Sequence, residues 1–313
     1  MSIAPSPLPI LLAELTAVSA ERISPSFVRV VLAGPELADL GIDGPSYDQR
    51  IKLVFPAEGH PLPSLDHADE SWLTSWMDRP VEERGHMRTY TVREVRGSRI
   101  DTQLVVDFVV HEDRLAGPGA RWGLQARSGS RVQVVAPRRG VPFGGVEFDP
   151  GVQTSLLLVG DETAVPAIAR ILEDLPVEAT GEAYLEVPHA EDFQDLRTPT
   201  GMTVNWMARH DDEVGTMLVP AVREYVGLTP ATLERPDDID PDLWETPTWS
   251  SSGEDIESRP TLLGHELEDL YAWIAGESAM VTCLRRALVR EVGVDRRQVA
   301  FMGYWRRGVA MKS

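Results

Sequence analysis

Arg88-Thr89-Tyr90-Thr91 places a guanidinium, an aromatic ring and two hydroxyls within four residues. A flavin dinucleotide asks for such a set: a flat surface for its ring, a donor near N5 and a cation for its pyrophosphate. Tyr90 can stack on a ring, Thr91 can offer its hydroxyl or amide, and Arg88 can fork onto phosphate. On a strand, alternation puts Arg88 and Tyr90 on one face and Thr89 and Thr91 on the other. A half-buried strand with a surface arginine has the same pattern, so the tetrapeptide alone leaves both readings open.

Four further clusters bear on chemistry. Asp107-Phe108-Val109-Val110-His111 leads into Gly117-Pro118-Gly119-Ala120-Arg121-Trp122. A strand running into a Gly/Pro loop and a helix start exposes backbone N–H groups to an anion. His111 is placed to touch adenine or ribose, or to end a strand as an ordinary polar residue. Trp122 reads as core or as cofactor wall. Next, Leu158-Val-Gly160-Asp161-Glu162-Thr163-Ala164-Val-Pro166 reads as strand, turn and helix start, where a parallel sheet takes its ligand. It lacks GxGxxG. Asp161 and Glu162 suit ribose hydroxyls better than a pyrophosphate, and they equally suit helix capping. Tyr271-Ala-Trp-Ile-Ala-Gly276-Glu277 repeats that layout. Finally, Tyr304-Trp305-Arg306-Arg307 closes the chain with rings that can cover a flavin or cap a sheet, and with cations that can attract an anion.

Several chemistries are excluded. A single cysteine, Cys283, rules out internal disulfides, CxxC redox chemistry and a four-thiolate iron–sulfur cluster. The seven histidines show no zinc spacing, and GxSxG is missing. If the protein carries electrons, an organic cofactor must hold them. A formal charge of −19 argues against nucleic acid. No apolar run reaches the roughly 20 residues of a membrane span. The N-terminal stretch has no basic region and contains Glu14, so it reads as a lead into a strand rather than a signal peptide, and a cytoplasmic protein is expected.

The elements that must position these residues fall into two rhythms. Strands are expected at Ile10–Val18, Phe27–Ala33, Arg50–Phe55, Arg88–Val95, Gln103–Val110 and Arg131–Ala136. They imply a six-stranded antiparallel β-barrel, interrupted by a surface excursion over 56–87 with a little helix. From about residue 150, strands at 155–159, 182–187, 202–207, 271–275 and 299–304 alternate with helices at 163–175, 212–225 and 277–291. That is a parallel α/β sheet. The expected domains are 1–148 and 149–313. An acidic insert at about 229–262 reads as a surface loop with two exposed tryptophans, Trp244 and Trp249. From Glu234 to Asp269 it counts twelve acids against two bases.

Together these segments resemble the siderophore-interacting protein family, a branch of the ferredoxin–NADP reductase superfamily. The resemblance rests on RTYT at 88–91, DFVVH at 107–111, GPGARW at 117–122, LLLVGDETAVPAIARIL at 156–172, YAWIAGE at 271–277 and FMGYWRRG at 301–308. It implies an FAD-binding barrel, a ferredoxin reductase-like α/β domain, and reduction of ferric siderophores with electrons from NADH or NADPH. It places Arg88, Thr89, Tyr90 and Thr91 around the flavin ring and phosphates, with Tyr90 and Thr91 nearest the chemistry. Asp107, Phe108, Val109, His111, Ala120, Arg121 and Trp122 would line the rest of FAD, and Asp161, Thr163, Ala164 and Trp305 would close the site. Lys52, Arg138 and Arg306 are candidates for a basic pocket that takes the ferric siderophore. Gly160-Asp-Glu-Thr stands where the wider superfamily has Gly-Thr-Gly, and Ala275-Gly-Glu where it has Cys-Gly-Pro. Both departures leave NADH against NADPH open. A general flavin or quinone reductase and a non-catalytic siderophore-binding module are the alternatives on the same scaffold.

Overall fold

A computed structural model describes residues 8–65, 68–110, 117–233, 244–247, 249–250 and 267–309. The chain divides into two compact units between Val146 and Glu147.

The first unit is antiparallel. Its strands are β1 (Ile10–Ser24), β2 (Phe27–Ala33), β3 (Arg50–Phe55), β4 (His86–Thr91), β5 (Glu94–Arg96), β6 (Gln103–Val109) and β7 (Arg131–Pro137). Helices α1 (Trp72–Met77) and α2 (Val81–Arg84) lie between β3 and β4, and α3 (Pro118–Gln125) lies between β6 and β7. Period-two patterning drives this: in β1, Leu11, Ala13, Leu15 and Ala17 are buried while Glu14 and Thr16 face out. The sheet order is β4-β3-β7-β1-β2-β6-β5. The single strand expected at 88–95 is two, which makes seven rather than six. The break falls at Val92–Arg93, where the Val92 amide bonds Gln49 O and the Arg93 amide bonds Val105 O. One continuous segment thus pairs with β3 on one side and with β6 on the other, so both ends of the strand order belong to it. In the excursion over 56–87, Trp76 is buried, its indole N–H bonds Arg84 O at 2.9 Å, and the Arg84 guanidinium lies 4.8 Å above its ring.

In the second unit the strands are β8 (Ser155–Asp161), β9 (Thr180–Val187), β10 (Gly201–Ala208), β11 (Trp244–Thr246), β12 (Trp249–Ser250), β13 (Leu270–Glu277) and β14 (Val299–Trp305). The helices are α4 (Val165–Asp174), α5 (Leu218–Tyr225) and α6 (Ser278–Arg285), the last continued by a π-helical stretch over Arg286–Val292. The order is β10-β9-β8-β13-β14-β11-β12, parallel from β10 to β14. β8 and β13 are buried on both faces, as continuous apolar runs require. Tyr271 ties down the start of this unit: its hydroxyl donates to Glu147 O and accepts the Asp149 amide, and Phe148 packs edge-on against its ring at 5.6 Å.

The acidic insert departs from a plain surface loop. Its described part adds the antiparallel strand β11 beside β14, with β12 paired at the edge. Glu245 is buried there with Arg285 at 2.6 Å and Arg296 at 3.4 Å, which offsets the cost of burying a carboxylate. Trp244 is half-buried and stacks on Tyr304 with ring centroids 6.0 Å apart. The rest of the insert lies outside the described residues.

Candidate functional site

Four aromatic residues of the barrel, Phe55, Tyr90, Phe108 and Trp122, cluster together. Tyr90 sits 4.6 Å from Phe108 and 5.9 Å from Phe55, centroid to centroid. Trp122, on α3, lies 5.3 Å from Phe108 and 5.4 Å from Phe55. Phe55 and Phe108 are fully buried, whereas Tyr90 and Trp122 are half-buried. Phe108 therefore presents no surface to a ligand and corrects the expectation of direct contact; it supports Tyr90 from behind. Burial pushes the Tyr90 phenol above its ordinary range, against the pull of Arg88. Gly119 permits this packing. A Cβ there would stand 2.0 Å from the Tyr90 hydroxyl and 3.3 Å from the Phe55 ring, so only glycine lets α3 cross so closely.

The same region is cationic. His86, Arg88 and Tyr90 alternate with Met87 and Thr89 along β4 and pair with the core residues Phe55, Leu53 and Ile51. His86 is harder to protonate than usual, first through burial and then through Arg88, Arg121 and Arg84. Three guanidiniums thus act on one point. Beside them α3 opens on Gly117 with Pro118 in its first turn. The amides of Gly119 and Ala120, like those of any first helical turn, have no partner within the helix, and the helix dipole adds to them. A pyrophosphate demands such a combination of cations, open amides and a positive helix end.

The other face of β4 carries Thr89 and Thr91. Lys52 Nζ donates to Thr89 Oγ1 at 2.6 Å, and Thr91 is buried opposite Arg50. Alternation therefore divides the tetrapeptide between two surfaces. Asp107 is held by Arg29, whose Nε and Nη2 each donate at 2.7 Å, with Arg93 at 3.7 Å. Its carboxylate is committed to this cross-strand pair, which corrects the expectation that it meets FAD. Val109 is half-buried and Arg121 exposed. His111 lies outside the described residues. Arg138 donates to Ile10 O at 3.1 Å and pairs with Asp39 at 3.3 Å.

In the second unit, the carboxyl edge of the sheet carries four buried acids. Asp161 Oδ1 accepts the Thr163 amide at 2.9 Å and its hydroxyl at 2.5 Å. Asp161 Oδ2 accepts the Glu277 amide at 2.7 Å and the Trp305 indole N–H at 2.8 Å. Burial, then Glu162, push its carboxyl up to about 7, against the donors from Thr163 and Trp305. Gly276 makes room: its φ is 143°, and a Cβ would meet Asp161 Oδ2 at 2.6 Å. Glu162 forks onto Arg209 with two bonds of 2.7 Å. Asp161 and Glu162 are fully buried, and Ala164 shows no surface. Neither carboxylate offers an acceptor to a ribose. That expectation is corrected, and internal capping and pairing account for both. Thr163 and Trp305 are half-buried at this edge.

Glu186 and Arg209 are central here and were not anticipated. Glu186 accepts the amides of Gly215, Met217 and Leu218 at 2.6, 2.9 and 3.1 Å. This moves the start of α5 from the expected 212 to 218. The available signal was an acid inside an apolar strand, Ala183-Tyr-Leu-Glu-Val187.

An antiparallel barrel followed by a parallel α/β sheet defines the ferredoxin reductase-like class. The chain superposes on the ferredoxin reductase of carbazole 1,9a-dioxygenase with a TM-score of 0.54 at 16% identity, covering 95% of this chain and 70% of that one. Residues 16–141 match the siderophore-interacting FAD-binding domain, and residues 153–308 match the siderophore-interacting protein domain. The chain belongs to the siderophore-interacting protein family. It resembles the siderophore-interacting protein SipS of Aeromonas hydrophila, with a TM-score of 0.67, 27% identity, and coverage of 97% of this chain and 94% of that one. It is 28% identical to the ferric vibriobactin reductase ViuB of Vibrio cholerae over 94% of this chain and 89% of that protein.

Proposed function

We propose that the chain is an FAD-dependent reductase of ferric siderophores that draws electrons from NADH or NADPH. The observation that carries this reading is the barrel end, where Tyr90 stands beside Arg88 and the start of α3, and where Arg84, Arg88 and Arg121 all act on His86 along the same strand. Arg88, Arg121 and the amides of Gly119 and Ala120 would hold the pyrophosphate. Tyr90, braced by Phe55 and Phe108, would present its ring to the flavin, and Thr91, which follows it on the other, buried face of β4, is the proposed polar group at the strand end. Bound FAD supplies a carrier that takes two electrons from a hydride donor and passes them on singly, so one donor molecule serves two Fe(III) ions. In this reading the chelate keeps hold of Fe(III) until it is reduced, and the protein need not ligate iron. Lys52, Arg138 and Arg306 remain the proposed contacts for an anionic chelate. The likeness to the ferric vibriobactin reductase supports this substrate class. No helix among the described residues is long and apolar enough to cross a membrane.

The test is the visible spectrum of the purified protein. It should be yellow, bleach anaerobically with NADH or NADPH, and recover on addition of a ferric siderophore with Fe(II) captured by a ferrous chelator. A yellow protein that neither nucleotide bleaches rules out the proposed donor. Bleaching without recovery rules out the proposed acceptor.

A further inference from the structure

A dinucleotide that docks on a parallel sheet places its pyrophosphate at the N-termini of the helices that follow the strands, outside their carboxyl ends. Here the corresponding amides are already taken by carboxylates of the chain itself. Just ahead of α4, whose N-cap is Ala164, Asp161 accepts the Thr163 amide, and in the first turn Pro166 has no N–H to give. At α5, Glu186 accepts three amides. At α6, Glu277 accepts the amides of Ala279 and Met280 at 2.7 and 3.2 Å. The β8–β13 switch point, where strand order reverses and a ligand would enter, is bridged by the bond from the Glu277 amide to Asp161.

The electrostatics agree. Asp161, Glu162, Glu186 and Glu277 are all 3% exposed or less. Of the cations at this edge, Arg209 is paired with Glu162 and Arg307 with Glu213. Arg306 stands between the end of β14 and Arg307. A dianionic pyrophosphate would meet the carboxylates of Glu162, Glu186 and Glu277 at short range, joined by Asp161 once it ionises, in surroundings that screen them poorly.

We infer that Asp161, Glu186 and Glu277 are specificity-determining residues that keep phosphate off this edge, so that the hydride donor is recognised by its dihydronicotinamide end and not by its phosphates. The inference rests on the reading above and narrows it. In the reaction concerned, the C4–H bond of the dihydronicotinamide breaks and its hydrogen leaves with both electrons for FAD. A nicotinamidium cation remains, and solvent supplies the second proton. None of this needs the adenylate half of the donor.

The experiment is anaerobic stopped-flow bleaching of the holoprotein by NADH, NADPH, reduced nicotinamide mononucleotide and the phosphate-free 1-benzyl-1,4-dihydronicotinamide. Each rate constant is divided by that of free FAD with the same donor. The four ratios should agree within about tenfold, with no preference for NADPH over NADH. A ratio for NADH or NADPH about a hundredfold above that for the mononucleotide overturns the inference, as does a loss of about tenfold with NADH alone in Arg306→Ala. Glu277→Gln keeps an oxygen to cap α6 but removes the charge. At low salt it should raise the NADH rate several-fold relative to the benzyl donor, and an unchanged ratio overturns the assignment to these residues. A flavin that dithionite bleaches but none of the four donors does overturns the nicotinamide donor and this inference together. The expected ratios without reoxidation by a ferric siderophore support the inference and overturn the ferric reading instead.

Discussion

The two units treat helix N-termini in opposite ways. In the barrel, α3 starts on Gly117 with no side-chain cap and carries Arg121, one of three arginines that act on His86. In the α/β unit, amides at the starts of α5 and α6 are met by the internal carboxylates of Glu186 and Glu277, and Asp161 meets the Thr163 amide just ahead of α4. The same backbone feature is thus left open to an outside anion in one unit and closed by the chain in the other. An amide bonded to a buried side chain is no longer available to a ligand, and the added negative charge repels one. A sheet whose topology is that of a nucleotide binder need not keep its phosphate sites.

The largest effect that tests this contrast belongs to Glu186. Glu186→Ala strips three amides of their acceptor and should cost about 3 kcal/mol of stability by chemical denaturation, with Glu186→Gln retaining most of it. A loss below about 1 kcal/mol for the alanine variant would show that α5 does not depend on this cap.

Asp161 tests the same closure through pH. Its folded carboxyl, pushed up to about 7, lies above the unfolded value of about 3.9. Between those values the folded state holds a proton that the unfolded state has released. Its stabilising contribution is therefore complete below about pH 4 and is lost as pH rises to about 7. Denaturation across this window should show that fall in the wild type and a flatter profile in Asp161→Asn. Matching profiles would mean that the four donors keep Asp161 ionised throughout.

On the barrel side, Arg88→Ala should weaken FAD binding by about 30- to 100-fold in fluorescence titration, the scale of a lost charge-assisted contact. An unchanged affinity would remove Arg88 from the phosphate site. Gly119→Ala should have a smaller effect. Its methyl would drive into Tyr90, lower flavin content, and cost about 1–2 kcal/mol in thermal denaturation. Full flavin content in that variant would mean that α3 shifts freely and does not fix the Tyr90 ring.

Much of the architecture was legible in residue order. Alternation in Ile10–Val18 and the apolar run Ser155–Val159 each assign a strand type from a local pattern, because burial on one face or two imposes a period. The break at Val92–Arg93 was not legible, since it comes from pairing with β3 on one side and β6 on the other, contacts distant in sequence. At the candidate site, Arg88, Tyr90, Ala120, Arg121 and Trp122 were found by motif and do gather at one barrel end. Asp107 and Asp161 were found by the same means yet serve their own unit. Motif and residue type alike are blind to whether a distant Arg29 or Trp305 reaches the carboxylate first.

Composition and spacing alone excluded an internal disulfide and a four-thiolate iron–sulfur cluster, and predicted that a barrel precedes an α/β sheet. Both follow from local facts: one cysteine, and a change of hydrophobic period near residue 150. Tertiary structure alone decided which polar groups are still available. A carboxylate or an amide has few bonding positions, and partners brought from far along the chain fill them in the α/β unit and leave them open at α3.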